Sequence, residues 1–380
     1  MKKYILVIII VLASLFFFLS REKNFDQKII YIGTSLPKIG TIKELGIAVE
    51  LGTNAYFNYV NKHNLLNNRK IKLLTYEDKY EPQLTLDNTK KLINNKNIFA
   101  LYGFVGTPTV KNILPILKET NIPFISAFTG ASFLRDGYYK NVVNLRSSYD
   151  QEIEEHIKYL HEIKGFTKIA VFYQNDEYGQ EGYIGVVNTL EKYNLSLVAQ
   201  GSYKRNTLSI RHAFHAIENA NPEAIIMVGA NKANSLFIKK AKKNKNFKNT
   251  FFSNISFGDA NAMIKELDGK TKNVLFSQVV PLYDDINIPV INEYHKVLKA
   301  YNPNYEPGFI SLEAFLNAKV IVQTLQNMKG PITRSKFLKE FKSLPKDTLQ
   351  GLNIQYKNQQ LLNKVYLLEY KNHKFQEVLK

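Results

Sequence analysis

The sequence predicts an α/β fold of two doubly wound, Rossmann-like lobes, each built on a mostly parallel sheet and joined by more than one hinge crossing. Three observations predict it. From residue 28 onward, apolar strand-like runs alternate with amphipathic helical ones, the pattern of strands laid parallel with helices on both faces. The alternation restarts after Asn144 as a second run of the same kind. A chain of 380 residues with 45% hydrophobic side chains is too long for one ordinary core and rich enough to bury two.

In the first run, 29–35 reads as a strand and 42–63 as a long amphipathic helix with Leu45, Val49, Ala55, Tyr59 and Val60 toward the core. Residues 70–76 form the second strand. Pro82 then opens a helix over 83–94, as proline does in a first helical turn. Strand 98–104 runs into Gly106, Thr107, Pro108 and Thr109 and then a helix over 110–120. Strand 123–126 ends at Phe128, Thr129 and Gly130.

The second run predicts a helix over 149–163, a strand over 168–173, a turn over 176–182 and a helix over 183–193. Strands at 196–202, 224–229 and 250–254 alternate with helices at 209–219 and 233–243. Residues 274–280 read as a return crossing, and helices follow at 289–301, 308–328 and 333–343. The end changes character: 351–356, 363–370 and 375–379 read as antiparallel strands with a turn at Asn372 and His373.

Composition narrows the function. Lys2 and Lys3 precede an unbroken apolar run, 4–19, and Ser20-Arg21-Glu22-Lys23 closes it. That is the layout of an export signal. Phe18 fills a place where a cleavage site wants a small residue, so a retained anchor stays open beside cleavage. The run would span roughly 24 Å as a helix, short of a hydrocarbon core of about 30 Å. Either way the body is placed outside the cytoplasm. The absence of cysteine excludes a lipidated mature N-terminus, thiolate metal sites and cysteine catalysis. The net charge of +18 is scattered, and its densest run, 239–248, reads as the solvated end of a helix. No basic–aromatic nucleic-acid motif accompanies it.

The motif search favours binding over catalysis. Gly179, Gly182 and Gly185 lack the tight G-x-G turn and acidic ribose partner of a dinucleotide site, and fit close helix–strand packing. His212 and His215 share a helical face with no third ligand. Glu152, Glu154, Glu155 and His156 read as a wet helix face. No nucleophile elbow or metalloprotease motif occurs. By contrast, predicted strand ends carry polar or aromatic residues: Ser35, Tyr80, Thr107, Thr109 and Thr129 in the first run, and Tyr149, Asn175, Asn231 and Ser256 in the second. The C-terminal edge of an open parallel sheet is where ligands bind, and a helix N-terminus there attracts an anion.

The leader, the lobe order and the segments 103–109, 123–130 and 172–182 resemble type I periplasmic binding proteins. The nearest group is the leucine/isoleucine/valine binders that serve ABC importers. Gly229 closing strand 224–228, and Ser311, Leu312 and Glu313 in helix 308–318, add to the resemblance. It implies a signal peptide or anchor over 1–27, one lobe from 28–145 plus 282–346, and a second from 146–281 plus 347–380. It implies a monomeric, non-enzymatic protein without cofactor. The protein would be periplasmic, or at the outer face of the inner membrane if the leader is retained, and would touch membrane through that segment alone. Its partners would be a small molecule and a permease.

The resemblance also implies roles. Val105, Gly106 and Thr107 would hold a ligand carboxylate through a hydroxyl and backbone N–H groups. Ala127, Phe128 and Thr129 would supply a carbonyl and a hydroxyl. Tyr149 matches an aromatic position of the second lobe, and Asn231 stands at another. Ser256 falls near the place where amino-acid binders carry an acidic residue for the ammonium, with Asp259 its substitute in a shifted register. A ligand without an ammonium is equally consistent. An anchored sensing domain is the alternative function, and an exported hydrolase a more distant one.

Overall fold

The alternation closes into two sheets in the computed structural model, which describes residues 23–25, 28–95 and 97–378. The apolar run of the leader lies outside the described residues. Sheet one holds β1 (Ile29–Leu36), β2 (Lys70–Glu77), β3 (Ile98–Tyr102), β4 (Phe124–Ile125) and β5 (Val142–Val143). They lie parallel in the order β2-β1-β3-β4-β5. Sheet two holds β6 (Ile169–Gln174), β7 (Ala199–Tyr203), β8 (Ala224–Val228), β9 (Phe251–Asn254) and β10 (Val274–Gln278). Their order, β7-β6-β8-β9-β10, repeats that of sheet one strand for strand. A hairpin of β11 (Tyr366–Lys371) and β12 (Lys374–Glu377) adds antiparallel to its β10 edge. Each sheet thus has its switch point beside its first strand, where ligand crevices form.

Helices α1 (Lys43–Lys62), α2 (Pro82–Asn94) and α3 (Thr107–Thr120) connect the first sheet. Helices α4 (Tyr149–Lys158), α5 (Glu177–Lys192), α6 (Arg211–Asn219), α7 (Asn231–Ala241) and α8 (Ala260–Leu267) serve the second. After β10 the chain returns: α9 (Pro289–Tyr301) and α10 (Phe309–Asn327) pack on α1, and α11 (Arg334–Lys342) reaches β5. Residues 274–280 are therefore no crossing. Their core is β10, inside the second sheet, and the crossing follows it. Residues 351–356 are likewise no strand. Leu352, Ile354 and Tyr356 alternate as a strand would, but Ile354 N–H bonds Lys346 and Gln355 N–H bonds Leu361. This segment belongs to the third passage between lobes, where Leu361 and Leu362 pair with Asn144 and Leu145 of the first.

Helix α5 begins six residues before the expected start. Asp176 caps it by accepting from the backbone N–H groups of Tyr178 and Gly179, which satisfies donors that a helix start otherwise leaves open. The glycines that read as a turn lie on the helix. A Cβ at Gly179 would stand 1.7 Å from the Gln174 carbonyl, and one at Gly182 2.4 Å from Val228. They let α5 press against the sheet, the packing role the sequence predicts.

The first lobe's core turns on α10, buried along almost its whole length from Phe309 to Leu325. The Phe315 ring meets Tyr56 edge-on at 4.9 Å and Tyr294 at 5.5 Å. Phe315→Ala is expected to cost about 3–5 kcal/mol through lost burial and a residual cavity, read as a lower urea midpoint. A change under 1 kcal/mol would mean that the site collapses freely.

Candidate functional site

Two adjacent strands of sheet one end in turns that are locked together. Val105 bridges Phe128, Gly106 N–H donates to the Phe128 carbonyl at 3.1 Å, and Phe128 N–H donates to Phe104 at 2.9 Å. This places the Thr107 and Thr129 hydroxyls 2.7 Å apart, both fully buried. The hydroxyl of Thr109 turns back onto the carbonyls of Val105 and Gly106 at 2.5 and 2.7 Å, so it closes its own turn. Gly106 has φ +99°, and the Tyr80 ring fills the space a Cβ would need. Both facts demand glycine there.

The second lobe covers this pair with aromatic rings. A capping box between Ser148 and Gln151 starts α4, and Tyr149 N–H donates to the Gly130 carbonyl at 2.9 Å. The Tyr149 ring lies 5.4 Å from Tyr178, Tyr178 lies 4.5 Å from Phe257, and Phe257 lies 6.1 Å from Tyr80 of the first lobe. Burial pushes the Tyr149 phenol pKa up, offset in part by Arg146 and then by the adjoining Thr129 and Thr107 hydroxyls. Among the described residues the Tyr178 hydroxyl has no hydrogen-bond partner, and the Tyr149 hydroxyl has only the loose approach of the two threonines. Burial holds Tyr178 well above the ordinary phenol range, so both rings keep their O–H at neutral pH.

Beneath the rings lies a buried ion cluster. Arg146 spans the lobes. Its Nη2 donates to the Ser256 hydroxyl at 2.5 Å, its Nε sits 3.4 Å from Glu313 Oε1, and its guanidinium lies 5.9 Å from the Phe128 ring centroid. Glu152 accepts from Ser256 N–H at 2.7 Å, from the Ser256 hydroxyl at 2.9 Å and from the Ser277 hydroxyl at 2.5 Å. Burial pushes Glu313 up to about 7, held back by Arg146. Burial works to discharge Arg146, but Glu313 and Glu152 outweigh it and raise its pKa. His156 is lowered to about 3 by burial and donates through Nε2 to the Asn254 carbonyl.

Glu152 and His156 therefore do not sit on a wet face. They are buried, and the reason is periodic: Tyr149, Glu152, Ile153, His156 and Ile157 form one helical stripe facing the sheet. Glu154 stays exposed, as expected. Among the other strand-end residues, Asn175 is exposed. Ser35 is buried but spent on Asp78 and Asn88. Asn231 is buried at the start of α7 with Oδ1 unpartnered. It reaches the rings only indirectly, because Ala230 N–H bonds the Tyr203 hydroxyl, Tyr203 bonds Gln174, and Gln174 donates to Tyr80. Ser256 is held by Arg146 and Glu152. Sequence reasoning missed Arg146, Tyr178 and Phe257. Tyr178 was within reach, because it sits in the first turn of a helix that starts at a strand end.

The two lobes are closed on each other. Arg205 bridges Glu81 at 3.2 Å and Asp176 at 3.4 Å. Asn206 meets the Thr41 hydroxyl at 2.9 Å. Glu181 accepts from the N–H and hydroxyl of Ser132 at 2.8 and 2.7 Å. On the flank formed by α1, α8 and the start of α10, a cavity of about 860 Å³ opens between the lobes, lined in part by Glu44, Asp259, Tyr283, Tyr305 and Ser311. Asp259 caps α8 through Ala262 and is pushed up to about 6 by burial.

Comparison with known proteins agrees with this architecture. No curated protein matches the chain. Among solved structures, a possible leucine/isoleucine/valine-binding protein from Rhodopirellula baltica SH 1 is 31% identical, covering 94% of this chain and 98% of its own, with a TM-score of 0.88. A substrate-binding periplasmic protein from Ralstonia solanacearum is 25% identical over 91% of this chain and 98% of its own, with a TM-score of 0.85. A fatty acid ABC transporter substrate-binding protein from Thermomonospora curvata shares the fold at 15% identity, with a TM-score of 0.83 and coverage of 94% and 93%. The family model described as periplasmic binding protein matches residues 29–374. With its two lobes closed over paired strand-end turns, the chain belongs to the periplasmic binding protein family.

Proposed function

We propose that this protein captures a small carboxylate-bearing molecule between its lobes and delivers it to the permease of an ABC importer, working as a monomer outside the cytoplasm. One lobe is assigned residues 28–145 plus 282–346, the other 146–281 plus 347–380. The observation that carries this reading is the Thr107–Thr129 hydroxyl pair facing the Tyr149 phenol across the junction of the lobes. The resemblance assigns backbone N–H groups of Val105 and Gly106 and a carbonyl from Ala127 and Phe128 to the ligand, but the Gly106 N–H and the Phe128 carbonyl are spent on each other. Here their backbone bonds supply the rigidity.

Ligand docks on the first lobe, and Tyr149 and Tyr178 complete the site only when the second lobe swings in. Ligand stabilises the closed state because only that state offers contacts from both sides. A micromolar affinity needs about −8 kcal/mol. A few charge-assisted hydrogen bonds of roughly 1.5–3 kcal/mol each, with aromatic burial, suffice after the costs of association.

Thr107→Val is expected to weaken binding more than tenfold while leaving the fold intact. The measurement is calorimetric titration with the molecule recovered by mass spectrometry from the purified protein. Unchanged affinity would remove Thr107 from the site. Thermal-shift screening extends the test, since a ligand of the folded form alone raises Tm.

A further inference from the structure

The site between the threonine turns and the rings offers free donors, and the carboxylates around it are engaged. The Tyr178 hydroxyl is buried and unpartnered among the described residues, and the buried Tyr149 hydroxyl is met only loosely by the two threonines. Among the described residues, no hydrogen bond engages the backbone N–H of Thr107 or Thr129. In the Thr107–Thr129 pair one hydroxyl donates to the other, leaving the second proton free to point at a ligand. A buried donor left unsatisfied carries a desolvation cost that a ligand acceptor relieves.

The carboxylates nearby are already engaged. Glu152 takes three hydrogen bonds from Ser256 and Ser277. Asp176 accepts from Tyr178 N–H, Gly179 N–H, Gln174 and Arg205. Glu313 pairs with Arg146. Of the turn carbonyls, those of Phe128, Gly130 and Ala131 are occupied, by Gly106, Tyr149 and Arg135, while those of Ala127 and Thr129 accept no hydrogen bond among the described residues and offer neutral oxygens only. An α-ammonium brings three donors and a full charge, and it would be buried here without a free counter-charge. A carboxylate supplies the acceptors that the free O–H and N–H groups lack, and the ring walls suit an apolar body.

We infer that this site selects carboxylates lacking an α-ammonium group and carrying an apolar or aromatic body. The inference rests on the capture function proposed above and sharpens its ligand class. The rival arrangement places an ammonium at Asp259, in the neighbouring interlobe cavity.

The test is titration of the whole exported protein with matched pairs: 4-methylpentanoate against leucine, and 3-phenylpropanoate against phenylalanine. The expected result is at least tenfold tighter binding of the desamino member in one pair or both, lost at least tenfold in Tyr178→Phe. Leucine or phenylalanine binding as tightly as its partner would overturn the inference. If that binding fell in Thr107→Val, the capture reading would survive, and loss in Asp259→Asn would assign the ammonium to the rival site. Binding by no member of either pair would also overturn the inference, while a different small molecule recovered from the protein would keep capture standing.

Discussion

Arg146→Met should destabilise the protein by about 3–5 kcal/mol, the cost of stripping a buried charge from its partners. The side chain is almost wholly buried and joins Glu313 of the first lobe to Ser256 of the second. Its removal leaves Glu313 in the interior without a counter-charge. Two relaxations limit the damage. Glu313 can take up a proton, so the loss should be smaller at low pH. Glu152 keeps its three hydroxyl and amide donors. The double change Arg146→Met with Glu313→Met should recover part of the stability, since well-packed apolar pairs often replace buried ion pairs without loss. Urea unfolding of both variants is the measurement. A single-variant change within 0.5 kcal/mol would show that Arg146 is not an interlobe tie.

Glu313→Gln should abolish one pH dependence. Burial raises the folded pKa of Glu313 to about 7 from an ordinary value of 4.5. Between those values the native state binds more protons at this group than the unfolded chain does. Stability from Glu313 is therefore fully present below pH 4.5 and is lost as pH rises through 7. At about 1.4 kcal/mol per unit, the full loss is on the order of 3 kcal/mol. His156 acts in the opposite window. Buried neutral, it stays favourable above its ordinary value of 6.5 and becomes a liability as pH falls toward 3. The wild-type curve mixes both, so the informative quantity is the variant minus the wild type. That difference should grow in favour of Glu313→Gln from pH 4.5 to 7.5 and then level off. A difference flat across that range would mean that Glu313 titrates as an ordinary surface carboxyl.

The legibility of the site follows from distance along the chain. The Thr107 and Thr129 turns could be read because consecutive parallel strands bring their C-terminal ends to one edge, whatever else the fold does. The role of Ser256 could not. Its neighbours Arg146, Glu152 and Glu313 come from the first hinge passage, from α4 and from α10. No local pattern announces that a serine, an arginine and two glutamates will share one interior. Glu152 is the instructive case, since its stripe with Ile153 and Ile157 was visible while its charge argued for water. Partners supplied from the turn after β9 and from β10 reverse that argument, because buried charge is tolerated once it is hydrogen-bonded.

The same division separates the elements. The 2-1-3-4-5 strand order of both sheets is the outcome expected of repeated strand–helix–strand units, and α5 could have been started at Asp176 from its capping chemistry. The fate of 274–280 and 351–356 was settled elsewhere. An apolar run says that a segment is buried, but which sheet receives it depends on strands far away in sequence. The chain by itself determined its periodicities, its caps, its tight glycines and the two threonine turns, because these follow from local sterics and hydrogen bonding. Tertiary structure alone decided which charges lie inside, that Arg146 ties one lobe to the other, and that the Tyr178 hydroxyl stands without a partner among the described residues. Those are properties of contacts between segments that only the closed pair of lobes brings together.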